Sequence, residues 1–74
     1  MRMRVRPLDL TLRQIEYLVA IADTGGFGAA AAATGVSQPA LSAQVARVEE
    51  LLGVVVFERS RPVRATREGA QILA

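Results

Sequence analysis

The sequence predicts a mainly α fold: three helices, a two-stranded ribbon, and the start of a fourth helix. Three observations carry that expectation. Apolar residues recur at helical spacing in two stretches, Leu12 to Ala22 and Leu41 to Leu52. Glycines stand where those stretches and the segment between them end, at Gly25-Gly26, Gly35 and Gly53. A β-branched and aromatic run, Val54-Val55-Val56-Phe57, then precedes a turn signal at Ser60-Arg61-Pro62.

Residues 1–10 read as a flexible basic arm, because Pro7 discourages an earlier helix start. Thr11-Leu12-Arg13-Gln14 fits a capping box, with Leu10 and Ile15 at the flanking staple positions. Leu12, Ile15, Leu18, Val19 and Ala22 are expected to form the inward face of the first helix. The second helix is short, from Phe27 to about Ala33, with Phe27, Ala30 and Ala31 inward. Its alanines allow a neighbouring helix to come close, although an alanine run is also simply good helix former. Thr34-Gly35-Val36 makes the turn, with Gly35 free to take positive φ.

Ser37 caps the third helix, which runs from Gln38 to Leu52 with Pro39 tolerated in its first turn. Leu41, Val45, Val48 and Leu52 form its core stripe. Pro39, Ala43, Ala46, Arg47 and Glu50 lie opposite, with Gln38 and Ser42 at the margin, and Gly53 stops the helix. Val54–Phe57 and Val63-Arg64-Ala65 are expected to pair as strands. Thr66 then caps a last helix through Gly69, Ile72 and Leu73. The chain stops at Ala74 in mid-pattern, which reads as a truncation.

At 74 residues there is room for one small domain. A chain of that size buries only roughly 60–65% of its unfolded surface, so dimerisation would help it. The sequence has no cysteine and no histidine, which removes disulfides, thiolate metal sites and the commonest general base together. An enzyme reading has no nucleophile–base or metal-ligand constellation to stand on, and no cofactor is expected. Net charge is only +2, but the arginines gather at the ends: Arg2, Arg4 and Arg6, then Arg59, Arg61, Arg64 and Arg67. That distribution suits a polyanion, and equally a solvated surface. All nine basic residues are arginine, a faint sign of a GC-rich genome. No apolar run approaches a membrane span and no signal segment follows the arginines, so the expected location is cytoplasmic.

Helix, short helix, tight turn, longer helix and ribbon is the order of a winged helix-turn-helix. The third helix opens with small polar residues, as a helix entering the DNA major groove requires. Gln38 and Ser42 offer amide and hydroxyl groups to base edges or phosphates, and Pro39 and Ala40 offer apolar contact to a thymine methyl. The same pattern also fits a small helical domain whose third helix packs on a protein partner, its polar start being ordinary capping.

The residues resemble the N-terminal DNA-binding domain of LysR-type transcriptional regulators. The matching motifs are Leu12-Arg13-Gln14-Ile15-Glu16-Tyr17-Leu18, Phe27 with Ala30-Ala31, and Val36-Ser37-Gln38-Pro39-Ala40-Leu41-Ser42. Further matches are Glu49-Glu50 with Leu52-Gly53, Phe57-Glu58-Arg59, and Thr66 with Gly69. The resemblance implies a winged helix-turn-helix over residues 11–65 and the start of a linker helix over 66–74. It implies a homodimer formed through that linker, here through Ile72 and Leu73, on an interrupted palindromic operator. The full-length regulator would be a tetramer, with a small-molecule effector bound only by an absent C-terminal domain. By position, Gln38, Pro39, Ala40 and Ser42 would meet bases. Ser37, Arg47, Arg59, Arg61 and Arg64 would meet backbone or an adjacent minor groove. For Arg59 an ion pair with Glu58 or Glu49 is the other role on offer.

The chain departs from the family's habits at several positions. Ala43 stands where arginine is frequent, and Gly28-Ala29 replaces a more polar, often basic pair. Thr34 and Ala65 stand where larger apolar residues are usual, which predicts a thinner core. Leu51 stands where acid is common; if exposed, it marks a contact with another chain or with the missing domain. Leu41-Ser42-Ala43-Gln44 faintly resembles the peroxide-sensing branch, whose redox cysteines belong to the absent domain. Ala43 and the alanine-rich second helix support a competing reading, a dimerisation or protein-interaction module with little specific DNA binding.

Overall fold

A computed structural model describes residues 10–59 and 63–73. Its elements are α1 (Leu12–Thr24), α2 (Phe27–Thr34), α3 (Gln38–Leu52), β1 (Phe57–Glu58), β2 (Arg64–Ala65) and α4 (Arg67–Leu73). The basic arm and the Ser60-Arg61-Pro62 turn lie outside the described residues, as does Ala74.

The helix ends follow from their caps. At α1 the capping box forms in full: the Gln14 N–H donates to Thr11 Oγ1, and the Thr11 N–H donates to Gln14 Oε1, both at 3.0 Å. Ser37 Oγ accepts the Ala40 N–H at 3.2 Å and starts α3, with Pro39 in the first turn. Gly25, Gly35 and Gly53 close α1, α2 and α3 at φ 77°, 75° and 72°, the left-handed conformation that glycine takes without a Cβ penalty.

One apolar core joins the helices. Leu18 and Ile21 of α1, Ala30 and Ala31 of α2, and Leu41, Val45 and Val48 of α3 are buried, together with Val56 and Phe57 beyond them. Ala30 and Ala31 are the smallest of these, and they let α2 approach its neighbours closely. Leu52, Val63, Ala65 and Leu73 pack around the rim. Thr34 is half-buried, and its hydroxyl donates to the Ala30 carbonyl at 2.8 Å, so this polar group is satisfied within its own helix. Leu51 is half-buried rather than exposed.

Two expectations need correction. The inward face of α1 is Gln14, Tyr17, Leu18 and Ile21, not the stripe through Leu12, Ile15, Val19 and Ala22. Leu12 is 82% exposed, and Ile15, Val19 and Ala22 also face out. The helix is apolar around much of its girth, so periodicity permitted two faces roughly 100° apart. Gln14 helps to choose between them. Beside its capping bond, its Nε2 donates to Gln44 Oε1 on α3 at 3.3 Å, which turns this edge of α1 toward α3.

The second correction concerns the strands. Only Phe57 of the run Val54–Phe57 is in a strand. Phe57 pairs antiparallel with Ala65, and Glu58 with Arg64. Side chains and the start of α4 take the place of a longer ladder. The Val56 N–H donates to Glu49 Oε2 at 2.8 Å, and the Val56 carbonyl accepts the Thr66 N–H at 2.8 Å. Val63 likewise donates its N–H to the Gly25 carbonyl at 2.9 Å instead of extending β2. Backbone groups need a partner when buried, not a particular one.

Candidate nucleic-acid interface

The first turn of α3 is held firmly from below and open above. Leu41 and Val45 are fully buried, whereas Ser37, Gln38, Pro39 and Ala40 are exposed and Ser42 is half-buried. Ser37 uses its oxygen as a cap acceptor, which leaves its O–H free to donate to a phosphate. Further along, Ala43, Ala46 and Arg47 are exposed. The alanines make a low surface that hinders close approach to a groove floor less than long side chains would. Arg47 stands 3.8 Å from Glu50 in an exposed pair, which holds it weakly.

The wing is anchored to the end of α3 by Glu49. One carboxylate oxygen, Oε2, accepts the Val56 N–H at 2.8 Å and approaches the Phe57 N–H at 3.4 Å. The other, Oε1, lies 3.4 Å from Arg59 Nη2. Arg59 also donates from Nη1 to the Phe57 carbonyl at 3.3 Å, and its guanidinium lies 4.5 Å from the centre of the Phe27 ring. Phe27 in turn meets Phe57 edge to face, with centroids 6.3 Å apart. Arg59 is thus engaged inside the chain, with Glu49 rather than Glu58 as its ion-pair partner. Arg64 on β2 is exposed. Arg61 lies outside the described residues.

Thr66 secures the far side of the wing. Its hydroxyl donates to the Val55 carbonyl and accepts the Gly69 N–H at 2.9 Å, so one side chain caps α4 and clamps the segment before β1. Gly69 presses against that segment: an added Cβ would fall 2.0 Å from the Val56 carbonyl oxygen. On α4, Ile72 is exposed, while Leu73 packs partly onto the domain's own core.

Sequence reasoning named Glu49 as a motif residue and a partner for Arg59, and Thr66 as a motif residue and a cap. Their second bonds, to backbone groups seven and eleven residues away, carry no local signal. The link between Gln14 and Gln44 spans thirty residues and was equally hidden.

Comparison with known proteins agrees with this geometry. Residues 12–70 match the family described as bacterial regulatory helix-turn-helix protein, lysR family. The chain is 42% identical over 65 residues to the HTH-type transcriptional regulator ClcR of Pseudomonas putida, covering 86% of this chain and 22% of that protein. It is 46% identical over 61 residues to the DNA-binding transcriptional dual regulator OxyR of Escherichia coli, covering 81% of this chain and 20% of that protein. The chain therefore spans about a fifth of the length of these curated relatives. Among solved structures it resembles the BenM DNA-binding domain in complex with benA site 1 DNA. The TM-score is 0.84 at 40% identity, over 86% of this chain and 73% of that one. The CbnR DNA-binding domain in its DNA complex gives 0.81 at 38% identity, over 86% and 75%. A family match across most of its length and a winged helix-turn-helix that superposes on such domains place this chain among the bacterial regulatory helix-turn-helix proteins of the lysR family.

Proposed function

We propose that this chain binds double-stranded DNA with sequence preference, as the DNA-binding part of a transcriptional regulator. The observation that carries the reading is the asymmetry of α3. One face is locked into the core through Leu41, Val45 and Val48, while the opening residues Ser37 to Ala40 are presented to the outside. In this reading Gln38, Pro39, Ala40 and Ser42 meet base edges in the major groove, and Ser37, Arg47 and Arg64 meet the backbone. Arg61 belongs with them by its place in the sequence. Arg59 serves mainly to hold the wing that carries Arg64.

The relatives are regulators rather than enzymes, and we read this chain as non-enzymatic too. No helix among the described residues is long and apolar enough to cross a membrane, and a cytoplasmic location suits a protein that works on DNA. We further propose a homodimer joined through the α4 end, with Ile72 outermost, on an interrupted palindrome. The tetramer and the small-molecule effector belong to a longer protein of the same family.

Fluorescence anisotropy tests the reading, with the chain titrated onto DNA from upstream of its own gene and onto a scrambled duplex, across a salt series. Preference that persists as salt rises supports base readout. Gln38→Ala should then cost ~1–3 kcal/mol on the preferred site and far less on the scrambled one. Arg64→Ala should weaken both duplexes alike and lower the salt slope by about one. Equal binding to both duplexes by the unmodified chain, equally sensitive to salt, would favour the interaction-module reading instead.

A further inference from the structure

Gly28 is an unexpected residue for its place in α2. It is followed by five alanines, Ala29 to Ala33, the best of helix formers, while glycine is the poorest after proline. Its backbone does not require glycine, because the positive-φ glycines among the described residues are Gly25, Gly35 and Gly53. Its surroundings supply a different reason. A Cβ at Gly28 would stand 3.3 Å from Gln38 Oε1, with no other neighbour within 4 Å outside its own helix turn. The neighbouring Gly26 has open space instead. The carboxamide of Gln38 therefore lies back against the first turn of α2, over the bare Cα.

That first turn carries unpaired N–H groups and the positive end of the helix dipole, both of which favour an oxygen turned toward it. With Oε1 facing α2, the Gln38 NH2 group is left for the DNA. A donor suits the acceptor edges of the major groove: purine N7, guanine O6 or thymine O4. Resting on the reading of Gln38 as a base contact, we infer that Gly28 determines specificity through Gln38. The missing side chain lets the amide settle with its donor outward, so that one base pair is read as an acceptor. A methyl group at position 28 would make Oε1 give way by a few tenths of an ångström and so loosen the seat that keeps the donor end outward. Gly28 acts as a positioning residue and need not touch the DNA.

The test compares the unmodified chain, Gly28→Ala, Gln38→Ala and the double variant in binding-site selection from a randomised duplex library. Melting temperatures and the Gln38 side-chain amide signals in NMR complete it. Gly28→Ala should raise the melting temperature, since alanine is the better helix former. It should also shift the Gln38 amide signals in the absence of DNA. At one base pair it should relax discrimination about fivefold, the worth of one ordinary hydrogen bond. Gln38→Ala should flatten that same base pair, and the double variant should match Gln38→Ala. If Gln38→Ala flattens a position and Gly28→Ala leaves it intact, the role of Gly28 is overturned while Gln38 remains a reader. A Gly28→Ala effect that persists without Gln38, or unmoved amide signals, overturns it as well. If Gln38→Ala leaves every preference unchanged, the base-contact reading itself falls and takes this inference with it.

Discussion

The three helices α1–α3 and the wing with α4 are held together by different means. Between the helices the contacts are apolar and close: Leu18 and Ile21 against Ala30 and Ala31, with Leu41, Val45 and Val48 completing the core. The strands of the wing are two residues each, and Glu49, Arg59 and Thr66 tie the chain around them to its surroundings. Apolar packing is non-directional and shared among many side chains, so no one atom is essential to it. A polar tie is directional, and removing one atom leaves a half-buried group without its partner. The helical part therefore fails through lost volume, the wing through lost geometry.

Leu41→Ala should produce the largest effect and act on both regions at once. Leu41 is fully buried at the centre of the core, and its truncation should cost about 2–5 kcal/mol in denaturant titration. In so small a domain that is enough to unfold much of the population. A loss confined to DNA binding, with unchanged stability, would contradict the shared core. Gly69→Ala comes next, because its Cβ would overlap the Val56 carbonyl, which is backbone and cannot swing aside. A cost at or above the upper end of about 1–3 kcal/mol is expected, with α4 displaced first. Circular dichroism and amide exchange would show whether α1–α3 survive it. If the whole domain melts as one unit, the contrast between the regions is structural only.

Glu49→Gln should have the smallest effect on stability and the sharpest locality. The amide oxygen can still accept from Val56, but the charge that holds Arg59 is gone, so a cost of about 1 kcal/mol is expected. Exchange should quicken at Val56 and Phe57 and stay slow at Leu18 and Val45. Uniform acceleration through α1–α3 would mean that Glu49 supports the core rather than the wing.

What could be read in advance divides along the same line. The bounds of α3 were legible because Ser37, Pro39 and Gly53 are local signals acting within a turn of themselves. The capping box at Thr11 and Gln14 and the inward face of α2 were legible for the same reason. The orientation of α1 was not, since Leu12, Ile15 and Val19 are as apolar as Leu18 and Ile21. The β-branched run Val54–Val56 suggested a strand, yet its backbone groups found Glu49 and Thr66 instead. At the interface, the exposed opening of α3 was foreseen. For Arg59 the ion pair with Glu49 was one of two open roles, whereas its place over the Phe27 ring had no signal in the sequence and rests on proximity alone.

By itself, then, the sequence determined where helices begin and end, which residues of α2 turn inward, which face of α3 is apolar, and where the chain must turn. These are interactions between residues three or four apart, and composition encodes them directly. The tertiary structure alone decided which side of α1 is buried, how short the strands are, and which polar groups are spent inside the chain. Those outcomes depend on residues ten to thirty positions apart competing for the same few partners, and no local pattern records who wins.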